Sequence, residues 1–248
     1  MPILEGCRAL FEYTAQVQPW HSACADISRA AWSPDALVGF DLETTSPDPR
    51  TARIVSFSVV EVHRNGSRVP LVEGLVDPGV TIPDSASAVH GISTAHARQF
   101  GMNHELAVER IHAAISAAWA RGLALAIYNA PYDLTVMKHC RLGGFSVRGA
   151  VVDPLVLSRM FCRRGSHTLA AVAESYGVEL AAAHDSSSDA VAAAELGLLF
   201  TDLASGLSGW STTGDIMKVQ RALAVAQQIR RARLGDQLGW PQLGDVAA

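Results

Sequence analysis

The sequence predicts an α/β domain in which a mixed sheet of five strands is flanked by helices. Strand-like runs alternate with helical segments, an Asn-Gly turn joins two of the strands, and the last third reads as helical. Hydrophobic residues make up 49% of the 248 residues and charged residues 18%. This is enough apolar material for a large core, so a globally disordered chain is excluded.

The first half of the chain supplies most of the strands. The first is a short apolar run that leads into acidic residues, and the next two are β-branched runs on either side of Asn65-Gly66. Asn-Gly between two such runs is a strong hairpin signal. The predicted strands are Ala36–Glu43, Arg53–Val62, Arg68–Val76, Leu123–Tyr128 and Val151–Asp153.

Helices are predicted from apolar spacing and from capping residues. After a loop that contains Pro78 and Pro83, Asn103 is expected to cap a helix that runs to about Arg121. Ser188 is expected to cap a later helix. The other predicted helices are Tyr132–Arg141, Pro154–Met160, Thr168–Tyr176, Ser188–Ala204 and Asp215–Leu234.

The composition limits the classes of function. The formal net charge of −4 argues against a protein that grips a long duplex, which needs a basic face, so any nucleic acid is held over a few nucleotides. The four cysteines form no CxxC pair and suggest neither a zinc site nor a disulfide framework. No apolar run is long enough to cross a bilayer and no secretory signal is visible, so a cytoplasmic location without a membrane partner is expected.

Three acidic clusters lie where a predicted strand ends or a helix begins. In the first, Phe40-Asp41-Leu42-Glu43, side-chain alternation places Asp41 and Glu43 on one face of the strand. Two adjacent carboxylates at the end of a buried strand repel each other unless a cation lies between them, and Mg²⁺ prefers such oxygen ligands. Taken alone, the pair is better explained as a solvated strand end.

The second and third clusters also have ordinary structural explanations. Asp133, in Asn129-Ala130-Pro131-Tyr132-Asp133, lies near a helix start, where the helix dipole favours a carboxylate. In His184-Asp185-Ser186-Ser187-Ser188-Asp189, the aspartate Asp189 is a favourable acid in the first helical turn. His184 adds an imidazole, which titrates near neutral pH and can take a proton from water.

The order of the three clusters is much rarer than any one of them. Asp-x-Glu, Asn-x-x-x-Asp and His-x₄-Asp, taken in this order, resemble the DEDDh branch of the DnaQ-like exonucleases over roughly residues 37–199. His90-Gly91-Ile92-Ser93 also matches a tetrapeptide common in that family. Ser46 stands where the family often has Gly and Tyr132 where Phe is usual, and neither departure removes an expected catalytic residue.

The resemblance implies an RNase H-like fold and a metal-dependent 3′→5′ exonuclease that releases nucleoside monophosphates from a DNA 3′ end. It implies two divalent cations, Mg²⁺ or Mn²⁺, and a histidine base that must be neutral to act, so activity is weak at acid pH. The carboxylate ligands that it implies are Asp41, Glu43, Asp133 and Asp189, and the base is His184.

Substrate contacts are also carried over from the resemblance. Leu42 and Thr44 are expected to contact the terminal nucleotide, and His90 to lie beside its sugar or base. Asn129 either orients the site, contacts the nucleic-acid backbone, or satisfies a backbone group at the strand end.

The expected partner is a single-stranded 3′ end of DNA in preference to RNA. DNA polymerase III and the bacterial sliding clamp are further candidates. The clamp is suggested by Gln237-Leu238-Gly239-Trp240-Pro241, a faint resemblance to clamp-binding peptides that a tryptophan packed on the domain explains better.

The predicted organisation is a partly helical extension over 1–35, the exonuclease domain over 36–205, and a helical extension over 206–248. Two alternatives stay open. The same fold and site serve enzymes that trim RNA 3′ ends, because neither fixes the substrate. An inactive nucleic-acid-binding or polymerase-tethering module is the other, and the presence of all five expected catalytic residues counts against it.

Overall fold

A mixed six-stranded sheet forms the centre of the computed structural model, which describes residues 34–140, 144–161, 165–208, 213–229 and 240–241. The strands are β1 (Ala36–Thr44), β2 (Ile54–His63), β3 (Arg68–Asp77), β4 (Met102–Asn103), β5 (Leu125–Ala126) and β6 (Val151–Val152). They lie in the order β4-β3-β2-β1-β5-β6. The β1–β2 and β2–β3 pairs are antiparallel, and the β1–β5, β5–β6 and β3–β4 pairs are parallel.

Helices cover both faces of this sheet. They are α1 (Asp84–His90), α2 (Thr94–Phe100), α3 (His104–Ala120), α4 (Ala130–Cys140), α5 (Pro154–Phe161), α6 (Leu169–Tyr176), α7 (Ser186–Ser208) and α8 (Thr213–Ile229). Within the described residues, none of them has the length and apolar character needed to span a bilayer.

Two local predictions are confirmed by the hydrogen bonds that the structure shows. At the β2–β3 turn, Gly66 has a φ of 84° and the Asn65 side chain accepts a hydrogen bond of 2.9 Å from the amide of Ser67. The side chain of Asn103 accepts a bond of 3.0 Å from the amide of Leu106 and so caps α3.

The prediction of five strands is wrong by one, because β4 was read as part of a loop. This strand has two residues, which is too few to show a periodic pattern, and it exists through its pairing with Val76 and Asp77 of β3. The loop expected around Pro78 and Pro83 also contains α1 and α2. Pro83 occupies the N-cap position of α1, a place where a missing N–H costs nothing.

Several predictions lie wholly or partly outside the described residues. They are residues 1–33 of the N-terminal extension, residues 209–212, residues 230–234 of the last predicted helix, and residues 237–239 of the clamp-like peptide.

The two faces of β1 belong to different cores. Val38 and Phe40 pack in the cluster that contains Ile111 of α3, whereas Leu37 packs in the cluster that contains Ala194 of α7. Side chains alternate along a strand, so the odd-numbered residues of β1 face α7. Asp41 and Glu43, which follow Leu37 and Gly39 in this alternation, therefore share the face that α7 covers, as predicted.

Small residues allow α7 to lie directly on β1. A Cβ added to Gly39 would stand 2.0 Å from the carbonyl oxygen of Ala190 and 3.3 Å from the Cβ of Ala194. No side chain fits there, so glycine is required for this approach. We call this contact, Gly39 with Ala190 and Ala194, the β1–α7 seam. It brings the start of α7 beside the end of β1.

Candidate active site

The first part of the site is the carboxyl end of β1. The register with β2 shifts between Glu43 and Thr44, which marks a β-bulge. Beyond it, the amide of Thr45 donates to the carbonyl of Arg53 and its hydroxyl accepts from the Arg53 amide, both at 3.0 Å. Bulges of this kind re-aim side chains beside active sites, and here the bulge directly follows Asp41 and Glu43.

The second part is the start of α7. The Asp185 side chain accepts a hydrogen bond of 3.0 Å from the amide of Ser188, so Asp185 caps this helix and the expected cap at Ser188 is wrong. The helix begins two residues earlier than predicted because the aspartate offers a better-placed oxygen. The Ser186 hydroxyl lies 3.2 Å from that of Ser56 and ties the helix start to β2.

Three of the predicted site residues form a compact group. One ligand atom each from Glu43, His184 and Asp189 lies within 4.8 Å of the other two. Both carboxylates are buried, with 8% of each residue exposed, whereas His184 is open to solvent. The amide of His184 donates to Oδ2 of Asp189 at 3.2 Å, while Oδ1 of Asp189 is buried and has no hydrogen-bond partner.

Asp41 and Asp133 lie outside this group of three, and charges of the group act on both of them. Asp133, in the first turn of α4, is 3% exposed. Burial raises the pKa of Asp41 well above its usual value, and the charges of Asp133, Asp189 and Glu43 raise it further. Burial likewise holds the pKa of Asp133 well above its usual value, aided by Glu43 and opposed by backbone hydrogen bonds.

The remaining two carboxyls are shifted in the same direction. Burial, followed by the charges of Asp189 and Asp185, raises the pKa of Glu43 to about 8. Burial raises the pKa of Asp189 to about 6, against the hydrogen bond and charge of His184. Three buried carboxyls and the half-buried Asp41 all resist ionisation, and one buried oxygen of Asp189 has no partner, so this donor set fits a hard divalent cation.

The backbone is held in an uncommon conformation at two places around these acids. Asn129 has a φ of 68° and His184 a φ of 63°, and they are the two non-glycine residues with positive φ in the part of the chain that the structure describes. This region is uncommon for side chains other than Asn, Asp and His. Asn129 and His184 are of the types that tolerate this region, and each lies a few residues before one of the acids.

The expected substrate contacts are placed in different ways. The Leu42 side chain is buried in the core with Phe40. The Thr44 hydroxyl lies at the site and bonds to the Tyr132 hydroxyl. His90 lies near enough to the Thr44 backbone and to His184 for both to act on its pKa, which burial lowers.

Sequence reasoning missed two acids of this region. Asp185 caps α7 and its charge acts on Asp41 and Glu43. Asp153 is fully buried and accepts hydrogen bonds from the amides of Asn129 and Ala130 at 3.1 and 3.0 Å. An aspartate between a buried strand and a proline is a signal for a helix cap, and at Asp153 the sequence offered it.

The comparisons with known proteins agree with this geometry. An exonuclease family model, RNase_T, matches residues 38–196. A DNA polymerase III subunit epsilon-like protein of Rhodobacter capsulatus is 34% identical over 166 residues, which are 64% of this chain and 23% of that protein. This chain therefore spans less than a quarter of the length of that relative.

Solved structures of exonucleases share the fold. E. coli exonuclease I in complex with a dT13 oligonucleotide has a TM-score of 0.55 at 17% identity, over 71% of this chain and 42% of that one. A moderately thermophilic exonuclease I from Methylocaldum szegediense has a TM-score of 0.53 at 21% identity, over 76% and 44%. Exonuclease X in complex with 5′ overhanging duplex DNA has a TM-score of 0.50 at 19% identity, over 74% and 99%.

These matches confirm the resemblance stated from the acidic clusters and the RNase H-like α/β fold that it implied. The family match spans β1 to α7, the elements that carry all the predicted acids and the histidine. The chain belongs to the exonuclease family described by RNase_T.

Proposed function

We propose that this protein is a 3′→5′ exonuclease that releases nucleoside monophosphates from a DNA 3′ end by metal-dependent hydrolysis. The observation that carries the proposal is the meeting of Asp41, Glu43, Asp133 and Asp189 with His184 at the end of β1. Four acids from three separate parts of the chain come close enough for their charges to raise one another's pKa, and a bound cation would relieve this repulsion.

The four carboxylates are the proposed ligands of two divalent cations, Mg²⁺ or Mn²⁺. When bound, the cations activate the attacking water and neutralise charge on the scissile phosphate. Asp189 contributes a buried oxygen that no protein group satisfies. Its other oxygen accepts from the His184 amide, so the metal ligand and the histidine are held in a fixed relation.

His184 is the proposed general base. Its side chain is exposed beside buried Glu43 and Asp189, so it can reach water while the acids stay desolvated. It takes the proton of the attacking water and must be neutral to do so. A His184→Gln variant is expected to lose about 10²–10⁴-fold in rate, the usual contribution of a general base, while its Mn²⁺ affinity changes little.

DNA is proposed over RNA because the relative from Rhodobacter capsulatus bears a DNA polymerase subunit name. That name also suggests association with a polymerase. A proofreading or repair role, and a polymerase partner, belong to the proposal. The sliding clamp is not favoured by the described structure, because the Trp240 side chain that a clamp peptide would present is fully buried.

The test uses 5′-labelled single-stranded DNA, a primer duplex with a 3′ mismatch, and single-stranded RNA. Each is incubated with the protein in Mg²⁺, in Mn²⁺ and in EDTA, with Asp41→Ala beside the wild type. We expect a ladder that shortens from the 3′ end of DNA, needs the metal and is absent in Asp41→Ala. Preference for RNA would replace the proposal with the RNA-trimming alternative, and no ladder on any substrate would favour the inactive binding module.

A further inference from the structure

Asp153 is a buried carboxylate that the proposed mechanism does not use. It has no exposed surface and lies between β6 and α5, directly before Pro154. Burial raises its pKa to about 6, and four of the N–H groups around it act in the opposite direction. A carboxylate this deep in a protein is costly unless its oxygens are well satisfied, so its partners show what it is for.

Five N–H groups point at the two oxygens of Asp153. Oδ1 accepts from the amides of Asn129 at 3.1 Å, Leu155 at 3.0 Å and Val156 at 3.4 Å. Oδ2 accepts from the amide of Ala130 at 3.0 Å and from the indole Nε1 of Trp240 at 3.3 Å. One side chain therefore caps α5 and also binds the backbone where α4 begins.

The α4 end of this arrangement leads to the proposed metal ligand Asp133. Asn129 adopts its positive φ while its amide bonds to Asp153, and Asp133 follows in the first turn of α4. The two carboxyls are close enough for the charge of Asp153 to act on Asp133. The position of Asp133 therefore depends on a turn that Asp153 holds.

The other end of the arrangement leads to the C-terminal part of the chain. The side-chain oxygen of Gln220, on α8, accepts from the Asp153 amide at 2.6 Å, and its Nε2 donates to the carbonyl of Val151 at 3.0 Å. Trp240 is fully buried and reaches Asp153 through its indole N–H. Both residues lie outside the segment that the exonuclease family model matches, which ends at residue 196.

We propose that Asp153 is a positioning residue for Asp133, and that Gln220 and Trp240 complete its hydrogen bonds and so stiffen the proposed metal site. The inference rests on the proposed function, in which Asp133 is a metal ligand. Gln220 and Trp240 thereby act on the site through the backbone turn at Asn129, and they contact neither metal nor substrate.

The experiment compares the full-length wild type with Trp240→Phe, which keeps a large ring and removes the indole N–H. The matched control is Trp119→Phe, because the Trp119 indole also donates one hydrogen bond, to the carbonyl of Ala150 at 3.2 Å, and makes none to Asp153. Hydrogen exchange of the amides of Asn129 and Ala130 is measured in EDTA. Mn²⁺ affinity is measured by calorimetry without nucleic acid.

In Trp240→Phe we expect exchange at Asn129 and Ala130 to quicken by about two- to tenfold and Mn²⁺ affinity to fall by a similar factor. This is the change that losing one hydrogen bond of ordinary net strength produces. Trp119→Phe should change the exchange rates and the Mn²⁺ affinity by less than about twofold from the wild-type values. A Gln220→Leu variant in the same assays should change them in the same direction as Trp240→Phe.

Unchanged exchange in Trp240→Phe would overturn the inference, as would an equal change in Trp119→Phe, which would show a general loosening of the fold. A wild-type chain that binds no Mn²⁺ would overturn the proposed function and the metal part of this inference. Exchange in EDTA would still decide whether Trp240 holds the turn, so the two failures are distinguishable.

Discussion

The β1–α7 seam and the helix α1 both border the proposed site, and they differ in how they are held. At the seam, Gly39 lies so close to Ala190 that no side chain fits between strand and helix. Helix α1 has no buried residue, yet it ends in His90, which lies beside Thr44 and His184. The acids therefore stand on tightly packed elements and the expected substrate contact stands on a loosely packed one.

The difference in packing between the two regions matches the difference in the charges that they carry. Asp41, Glu43 and Asp189 repel one another when ionised, and close packing of their backbones holds them together against this repulsion. His90 has one like charge beside it, that of His184, and the helix that carries it buries no residue. The geometry of the proposed metal ligands is thus held by the core, whereas the proposed substrate contact His90 is not.

The largest loss of activity is expected from Asp41→Asn, which replaces a carboxyl on the β1 face that α7 covers by a neutral amide. Activity should fall by more than the roughly 10²–10⁴-fold that a general base contributes, because a proposed metal ligand is lost. The melting temperature in EDTA should rise, since one of the mutually repelling acids is gone. An unchanged rate, or a lower melting temperature in EDTA, would contradict the account of the seam given above.

A steric test of the seam is Gly39→Ala. The new Cβ would meet the backbone of Ala190 at 2.0 Å, so strand and helix must separate, at a cost of about 1–3 kcal/mol or more in the free energy of unfolding. Urea unfolding measures the cost, and Mn²⁺ affinity should fall with it. The control is Gly197→Ala, whose Cβ meets the flexible end of Leu37 at 2.8 Å. Equal costs for both variants would contradict the special role of Gly39.

The pH dependence of stability tests the repulsion between the acids. Because the pKa of Glu43 rises from 4.5 to about 8 on folding, the metal-free protein should lose stability as pH rises through that interval. Mg²⁺ should therefore raise the melting temperature more at pH 8 than at pH 5. Glu43→Gln should flatten the metal-free profile between these values. A profile that rises with pH in both proteins would refute the assignment.

The smallest effect is expected on α1. Val89 is 52% exposed, so Val89→Ala should change the free energy of unfolding by less than about 0.5 kcal/mol. The same substitution at buried Val38 of β1 should cost about 2 kcal/mol, because it leaves a cavity in the core. Chemical denaturation of both variants gives the comparison, and similar costs would mean that α1 is better supported than its exposure indicates.

The acidic residues could be singled out from the sequence, because each lies where a predicted strand ends or a helix begins. Asp41 and Glu43 follow a buried strand, and the period of two that places them on one face needs no tertiary information. The site assignments themselves remain predictions. The helices α1 and α2 and the strand β4 were missed because they are short and draw their stability from neighbours, β4 through Val76 of β3.

Contacts between distant parts of the chain were the harder problem. The role of Asp153 depends on amides of Asn129 and Ala130, which precede it by more than twenty residues, and on Gln220 and Trp240, which follow much later. A buried residue whose side chain and amide find partners in four separate segments leaves no periodic pattern in the sequence. The contact of Gly39 with Ala190 could not be predicted for the same reason, since neither a glycine in β1 nor an alanine in α7 indicates by itself which residue it contacts.

The spread of the proposed ligands along the chain also bears on when the protein can act during its own synthesis. Asp41 and Glu43 leave the ribosome first, but Asp189 is made roughly 7–30 s later at translation rates of about 5–20 residues per second. Until α7 has docked on β1, the nascent chain holds an incomplete set of acids. On the proposed function, the site is therefore incomplete until residue 189 has left the ribosome and α7 has docked on β1.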